Sequence, residues 1–331
     1  MLLLEKSADL DRRVGLVQPM APQPMPPQPV ARHLPQVRPN QGGYDVAAIV
    51  AMALIHVLGC AAIWLFAPTL TLAAVCIGSY YLRMFAITAG YHRYFAHRTF
   101  RTSRPFQFLL ALLGGASAQR GALWWAAHHR DHHRHSDQPA DIHSPLQRGF
   151  WWAHIGWIVH TSSTPTSWGN IRDFSKYPEL VWLNNYELAP PIAYAAALLA
   201  MGGPAWLFWG FFLSTTLLWH GTFVINSLCH VWGSRRFVTG DTSRNNLWLA
   251  LLTLGEGWHN NHHHFQSSAR QGWLWWEVDG SYYALVALRK LGLVSHLKGV
   301  PDRVWQAQPG TPIETLDAAP LATPGLTAAT P

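Results

Sequence analysis

Apolar residues run almost unbroken from Asp45 to Phe66 and again from Thr69 to Gly90, with only Ala67-Pro68 between them. About 20 such residues cross a bilayer as a helix, so the pattern predicts two spans, 45–66 and 69–90, folded as a tight hairpin. Two more runs follow. Pro190-Pro191 opens one over 190–203, and Gly202-Gly203-Pro204 sets it off from another over 205–228. A shorter run, Phe106 to Ser117, carries Gly114-Gly115 and predicts an interfacial or re-entrant segment rather than a span. Residues 1–44, with a Pro/Gln-rich run, and the Ala/Pro/Thr-rich residues 306–331 hold too few apolar positions for a core and predict disordered tails. The start of the chain lacks the order of a signal peptide, so the first span is expected to be retained. The rest, 45–305, reads as one membrane domain.

Charge orients the spans. Arg12, Arg13, Arg32 and Arg38 precede the first, Arg93, Arg98, Arg101 and Arg104 follow the second, and Arg235, Arg236 and Arg244 follow the fourth. By the positive-inside rule these flanks, and with them both termini, are expected in the cytoplasm. The same rule accounts for the net charge of +7 without nucleic acid. Cys60, Cys76 and Cys229 form no CxxC pair, which argues against a disulfide framework or an iron–sulfur site.

Histidine breaks the apolar pattern. Of 19 histidines, His129, His132 and His133 stand at i, i+3 and i+4, and His259, His262 and His263 repeat that spacing. On a helix each triplet projects from one face, within reach of a common metal site. His92 and His97 are five apart, about 140° of rotation on an α-helix, so the α-helix is expected to end between them or they serve different metals. Asn226 and His230, at i and i+4, add a polar pair at the end of the fourth run.

These nine histidines are too many for one ion, and two metals sharing them is the simpler arithmetic. HExxH is absent, as are the Glu and Glu-x-x-His ligands of ferritin-like di-iron bundles. What remains is a dinuclear, mainly imidazole site, whose donor set suits iron but also zinc, copper or nickel. Asp131, Asp137, Asp241, Glu256 and Asn260 are positioned to orient the imidazoles. His33, His56, His160, His220 and His296 are expected to be structural, and His143 and His154 to orient loops or ligands. His128, His135 and His264 adjoin the triplets but fall outside their spacing.

With HRYFAH, HRDHH, NSLCH and GEGWHNNHH in this order between apolar spans, the chain resembles the membrane fatty acyl desaturases, in particular the bacterial form of the acyl-CoA Δ9 (stearoyl-CoA) desaturase family, over about residues 45–297. The resemblance implies an all-α integral membrane fold of four spans with a cytosolic helical cap, as in a bacterial inner-membrane protein. It implies two irons held by His92, His97, His129, His132, His133, His230, His259, His262 and His263, with Asn226 reaching one metal through water. The implied reaction uses O₂ and two external electrons to place a cis double bond in a saturated acyl chain. Animal members carry a basic pair after the GW that follows the second histidine box; Thr161-Ser162 stand at a similar distance here. The acyl carrier is therefore open between CoA, acyl-carrier protein and a lipid. The sequence shows no cytochrome b5-like or rubredoxin-like pattern, so electrons are expected from a separate ferredoxin, rubredoxin or cytochrome b5 type carrier with its reductase. Two other readings compete: a di-iron lipid hydroxylase or ketolase, and a membrane metal transporter or sensor. The latter should place ligands in mid-span, where only His56 and His220 lie.

Overall fold

The computed structural model describes residues 42–305, and their secondary structure is almost wholly helical. Helix α1, Val46–Leu65, is capped by Asp45, whose carboxylate accepts from the Ala48 N–H at 3.0 Å. Helix α2, Leu70–Phe85, is capped by Thr69 and runs on without a break into a π-helix, Ala86–Ala96. The second apolar helix therefore extends to residue 96, beyond the boundary expected at 90. Strand β1, Arg101–Thr102, then pairs antiparallel with β2, Val294–Ser295, Arg101 facing Ser295.

The run expected to be interfacial or re-entrant forms helix α3, Arg104–Gly115, capped by Ser103. A loop with Ala118 and Arg120 at positive φ leads to α4, Ala122–His135. After a stretch with short helical turns at Pro145–Arg148, Trp152–Gly156 and Arg172–Ser175 come α5, Pro178–Asn185, and α6, Ala189–Trp206. A π-helix over Leu207–Leu213 joins α6 to α7, Ser214–Asn226, and α8, Leu228–Val231, follows. Then follow α9, Leu247–Leu252; α10, His259–His264; α11, Gly280–Lys290; and a last short helix, Asp302–Trp305.

Three helical stretches among the described residues are long and apolar enough to cross a membrane: Val46–Leu65, Leu70–Ala96 and Ala189–Val231. The third has 43 residues, about 64 Å if straight and roughly twice the hydrocarbon thickness. It is not straight. Gly202 and Gly203 leave helical geometry, Gly203 at φ +68°, a conformation glycine adopts without Cβ strain. The boundary read between the third and fourth runs falls on this bend. Val50, Leu54, Val57 and Trp64 of α1 are exposed, the outward apolar face of a helix against lipid.

One core packs Tyr91, Phe95, Leu110, Leu123, Leu180 and Leu183 among α2's π extension, α3, α4 and α5. A second, Tyr80, Met84, Leu218, Trp219 and Phe223, joins α2 to α7. Between the helices Arg83 is fully buried. Its guanidinium donates to the carbonyls of Ser79, Ala116 and Gly210 and to the hydroxyls of Ser214 and Thr215. Ala116 ends α3, so the negative end of that helix faces the cation. The predicted tails lie outside the described residues except at 42–44, where Gly43 bonds Thr161 and Tyr44 bridges His160.

Candidate metal centre

The π-helix resolves the spacing of the first histidine pair. With a π turn each N–H reaches five residues back, and the His97 N–H bonds the His92 carbonyl at 3.1 Å. Residues five apart are thereby stacked, and the two rings lie 4.8 Å apart between centroids. His92 and His97 serve one group, not two. The helical triplets do the reverse of what their shared faces suggested: each is divided between two groups.

The first group is His92, His97, His129, His133 and His262, with one nitrogen from each within 4.8 Å of the others. Its Nε2 atoms approach in a chain: His97 to His129 at 2.9 Å, His129 to His133 at 3.0 Å, His133 to His262 at 2.9 Å, and His262 to His92 at 3.0 Å. The second group is His132, His230, His259 and His263, again within 4.8 Å. Here the His230 and His259 Nε2 atoms are 3.2 Å apart. So α4 gives two ligand candidates to the first group and one to the second, and α10 gives one and two. Helix α7 ends at Asn226, with Ser227 breaking it before α8 delivers His230. Asn226 lines the cavity described below.

Carboxylates hold the imidazoles from behind. His132 Nδ1 meets Asp141 at 3.0 Å, His230 Nδ1 meets Asp137 at 3.2 Å, and His263 Nδ1 meets Asp241 at 2.6 Å. His92 Nδ1 contacts Glu256, which Arg93 also binds at 3.0 Å. Arg93 in turn pairs with Asp279 at 2.9 Å, packed so closely on Gly255, at φ +118°, that a Cβ there would lie 2.5 Å from Asp279. A proton held on Nδ1 by a carboxylate leaves the Nε2 lone pair free. Lone pairs facing one another near 3 Å repel, whereas two nitrogens bound to one ion at about 2.1 Å stand that far apart. Buried His263 Nε2 has no hydrogen-bond partner. The donor set and spacing therefore fit one metal ion in each group.

Electrostatics agree. Burial, then the neighbouring imidazoles, push His97, His129, His133, His259 and His262 well below the usual histidine range, so they stay neutral and able to ligate. Burial also lowers His263, outweighing Asp241. For His132 the order reverses: burial is the largest single effect, yet Asp141 with Asp241 and Asp137 together lift it. Asp137, Asp141 and Asp241 are held well below the carboxylate range, the histidines outweighing burial.

Of the five orienting residues expected, Asp137, Asp241 and Glu256 do touch grouped histidines. Asp131 instead bonds Arg134 at the surface, and Asn260 accepts from the Arg236 and Phe237 N–H groups. Asp141 was not foreseen; it lies nine residues beyond its partner in a turn without periodicity. Together with His132 and buried His143 it forms a further cluster, and burial pushes His143 down to about 3. His128 and His135 bond carbonyls one turn back, and His264 stacks on Phe237 at 4.0 Å. His56, His220 and His154 form a separate chain, linked at 3.0 Å and 3.0 Å and ending on Ser227. His160 caps a short turn and His296 is exposed. His33 lies outside the described residues.

A cavity of about 390 Å³ runs from His92, His129 and His259 in among the helices, within the size of small-ligand sites. Its walls are mostly apolar: Met52, Ile55, Met84, Ile87, Trp219 and Phe223 all face it. Gln119 bridges it to Thr222 at 3.0 Å. The class that follows is a helical protein with membrane-crossing helices, two histidine groups able to bind metal, and an apolar cavity ending on them.

The family follows from comparison. Residues 64–279 match the family described as fatty acid desaturase, and the chain belongs to it. It is 36% identical to palmitoyl-monogalactosyldiacylglycerol delta-7 desaturase of Arabidopsis thaliana, over 77% of this chain and 69% of that protein. It is 34% identical to sn-2 palmitoyl-lipid 9-desaturase of Nostoc sp. (strain 36), over 77% and 90%. With sn-1 stearoyl-lipid 9-desaturase of Anabaena variabilis it shares 40%, over 64% and 78%. The chain is thus an oxidoreductase that desaturates fatty acyl chains.

Proposed function

We propose that this desaturase is an O₂-dependent Δ9 enzyme with two irons, one at His92, His97, His129, His133 and His262 and the other at His132, His230, His259 and His263, with Asn226 reaching one iron through water. The observation that carries the reading is the convergence of the Nε2 atoms near 3 Å, with carboxylates on the far side of His92, His132, His230 and His263. A methylene has no acidic proton, so side-chain acid–base chemistry alone does not remove its hydrogens. The irons, when bound, supply the redox chemistry with O₂. In balance, two hydrogens leave adjacent methylenes and, with two electrons and two protons from outside, reduce O₂ to two waters. The protein's own part is to hold the acyl chain in the apolar cavity, exclude water and keep the imidazoles in one tautomer.

Two relatives carry "9-desaturase" in their names, which supports Δ9. Relatives of similar identity are named for lipid-linked and for CoA-linked chains alike, and Thr161-Ser162 in place of a basic pair favours the lipid-linked chain. We place the protein in a bacterial inner membrane with four spans, the bend at Gly202-Gly203 dividing the third from the fourth, and with the histidine cap and both termini in the cytoplasm. Electrons come from a ferredoxin, rubredoxin or cytochrome b5 type carrier and its reductase.

The test is expression in an iron-replete host with a reductase system, followed by gas chromatography–mass spectrometry of total fatty acids, with His132→Ala as control. A new Δ9 monounsaturated acid absent from the control is expected. A hydroxylated product, or purified protein that binds no metal, would overturn the proposal.

A further inference from the structure

An acyl chain lying in the cavity would leave its polar head at the rim, where the lining changes chemistry. Apart from histidines and Glu256 behind His92, the ionisable groups lining the cavity are Arg120 and Glu187. They pair at 3.2 Å, with side chains 20% and 32% exposed, against 7% for Glu256. Leu188 and Ile192 continue the same wall and are 66% and 63% exposed, so the pair stands at the edge rather than the depth of the cavity. Exposed Trp182 and Tyr186 flank it, as aromatic residues do at a membrane–water interface.

The pair is held deliberately. Arg120 has φ +63°, costly for a residue with a Cβ, and the Tyr91 hydroxyl donates to its carbonyl at 3.1 Å. Its guanidinium lies 5.2 Å from the Trp124 ring. A part-exposed ion pair adds little stability and does not offset such strain, which points to a role at the rim. Burial raises the Glu187 carboxyl, outweighing the opposite effect of Arg120. A guanidinium offers donors and the carboxylate an acceptor. Together they complement a neutral head with an ester carbonyl and a hydroxyl, while a phosphate drawn to Arg120 meets the repulsion of Glu187.

We infer that Arg120 and Glu187 read the head of the acyl carrier and select an uncharged, hydroxyl-bearing glycerol ester over a phosphate-bearing carrier. The inference rests on the desaturase reading and names the carrier for it. Iron-loaded protein with an electron supply is assayed on 1-stearoyl-2-oleoylglycerol, the phosphatidic acid with the same chains, and stearoyl-CoA. Wild type is expected to favour the glycerol ester by about tenfold or more in kcat/KM, a selectivity within reach of one repulsive group. Glu187→Gln should lower KM for both phosphate carriers about tenfold with kcat little changed, and Arg120→Gln should raise KM for the glycerol ester. The exchange Arg120→Glu with Glu187→Arg keeps an ion pair but should not restore the preference. Equal effects on all three carriers, rescue by the exchange, or a wild-type preference for phosphate would overturn the inference. If wild type turns over none of them, the proposed Δ9 di-iron reading fails for these carriers; binding of the same carriers to the iron-loaded protein, followed by native mass spectrometry, then decides the rim's selectivity alone, and equal binding of all three would overturn the inference.

Discussion

Asp241→Asn is the sharpest probe of the way the second histidine group is tuned. Asp241 Oδ2 accepts from His263 Nδ1 at 2.6 Å, while Oδ1 accepts from the Thr239 hydroxyl at 2.8 Å and the Ser243 N–H at 3.0 Å. An asparagine has two orientations there, and both are costly. If its oxygen stays with Thr239 and Ser243, its NH₂ faces His263 and turns Nδ1 into an acceptor. The ring proton then moves to Nε2, which no longer ligates. The lost charge-assisted bond is worth about 1.5–3 kcal/mol. If the amide flips, His263 keeps its tautomer but two hydrogen bonds of about 1 kcal/mol each are lost. Either way the cost is about 2–3 kcal/mol, roughly 30–150-fold in metal affinity, near the range seen when such supporting groups are removed. The assay is metal content after equilibration with graded chelator, on wild type, Asp241→Asn and Asp131→Asn. Wild type should hold two ions, Asp131→Asn should match it because that carboxylate bonds Arg134 at the surface, and Asp241→Asn should release one ion at roughly 30–150-fold weaker chelation. If Asp241→Asn retains both ions as tightly as wild type, the tautomer argument is wrong.

Three further outcomes follow from the same structure. His97, His129, His133, His259 and His262 are depressed by burial, so the unfolded chain binds more protons than the folded one below pH 6.5. Metal-free protein should lose stability as pH falls from 7 to 5, with a slope steeper than about 1.4 kcal/mol per pH unit, the value for one proton; a flat thermal-melt series would contradict this. Met84 is 1% exposed and lines the cavity beside Trp219; Met84→Ala should cost about 2–5 kcal/mol in stability and shift products toward longer chains, and an unchanged product profile would show that the cavity does not end there. Arg83 uses its donors on five neutral acceptors; Arg83→Lys, with three donors, should lower detergent-solubilised stability by more than about 2 kcal/mol, and a variant as stable as wild type would show that those acceptors need no partner.

How much of this was legible in the sequence differs by residue. The apolar runs gave the helices within a few residues, because length and hydropathy alone decide what a bilayer accepts. Division at Gly202-Gly203 was equally readable, since few other residues bend a helix there so cheaply. His92 and His97 were the reverse. Their five-residue spacing was read on α-helical geometry, and no residue in AITAGYHRYFA announces a π-helix. Periodicity put His129, His132 and His133 on one face but could not say which side of that face each group occupies; that depends on where α10 and the π segment dock. Asp141 was invisible for the same reason, as its partnership with His132 is made by a turn.

The division of the triplets carries a physical consequence for the whole centre. Each of α4 and α10 feeds both groups, so neither group can shift without moving helices that the other shares, and the separation between them is fixed by two short rigid elements. Behind the imidazoles stand Asp137, Asp141, Asp241 and Glu256, all held below the carboxylate range, while Asp279 and Arg93 offset each other. Four carboxylates against neutral ligands match the charge of two divalent ions, which argues that the carboxylates do more than orient rings. They make it inexpensive to place two dications close together in a buried site, a cost that imidazoles alone would leave unbalanced. An all-histidine set with carboxylates one bond removed would thus leave the charge of two bound ions compensated and the cavity-facing side apolar, as a hydrocarbon substrate requires.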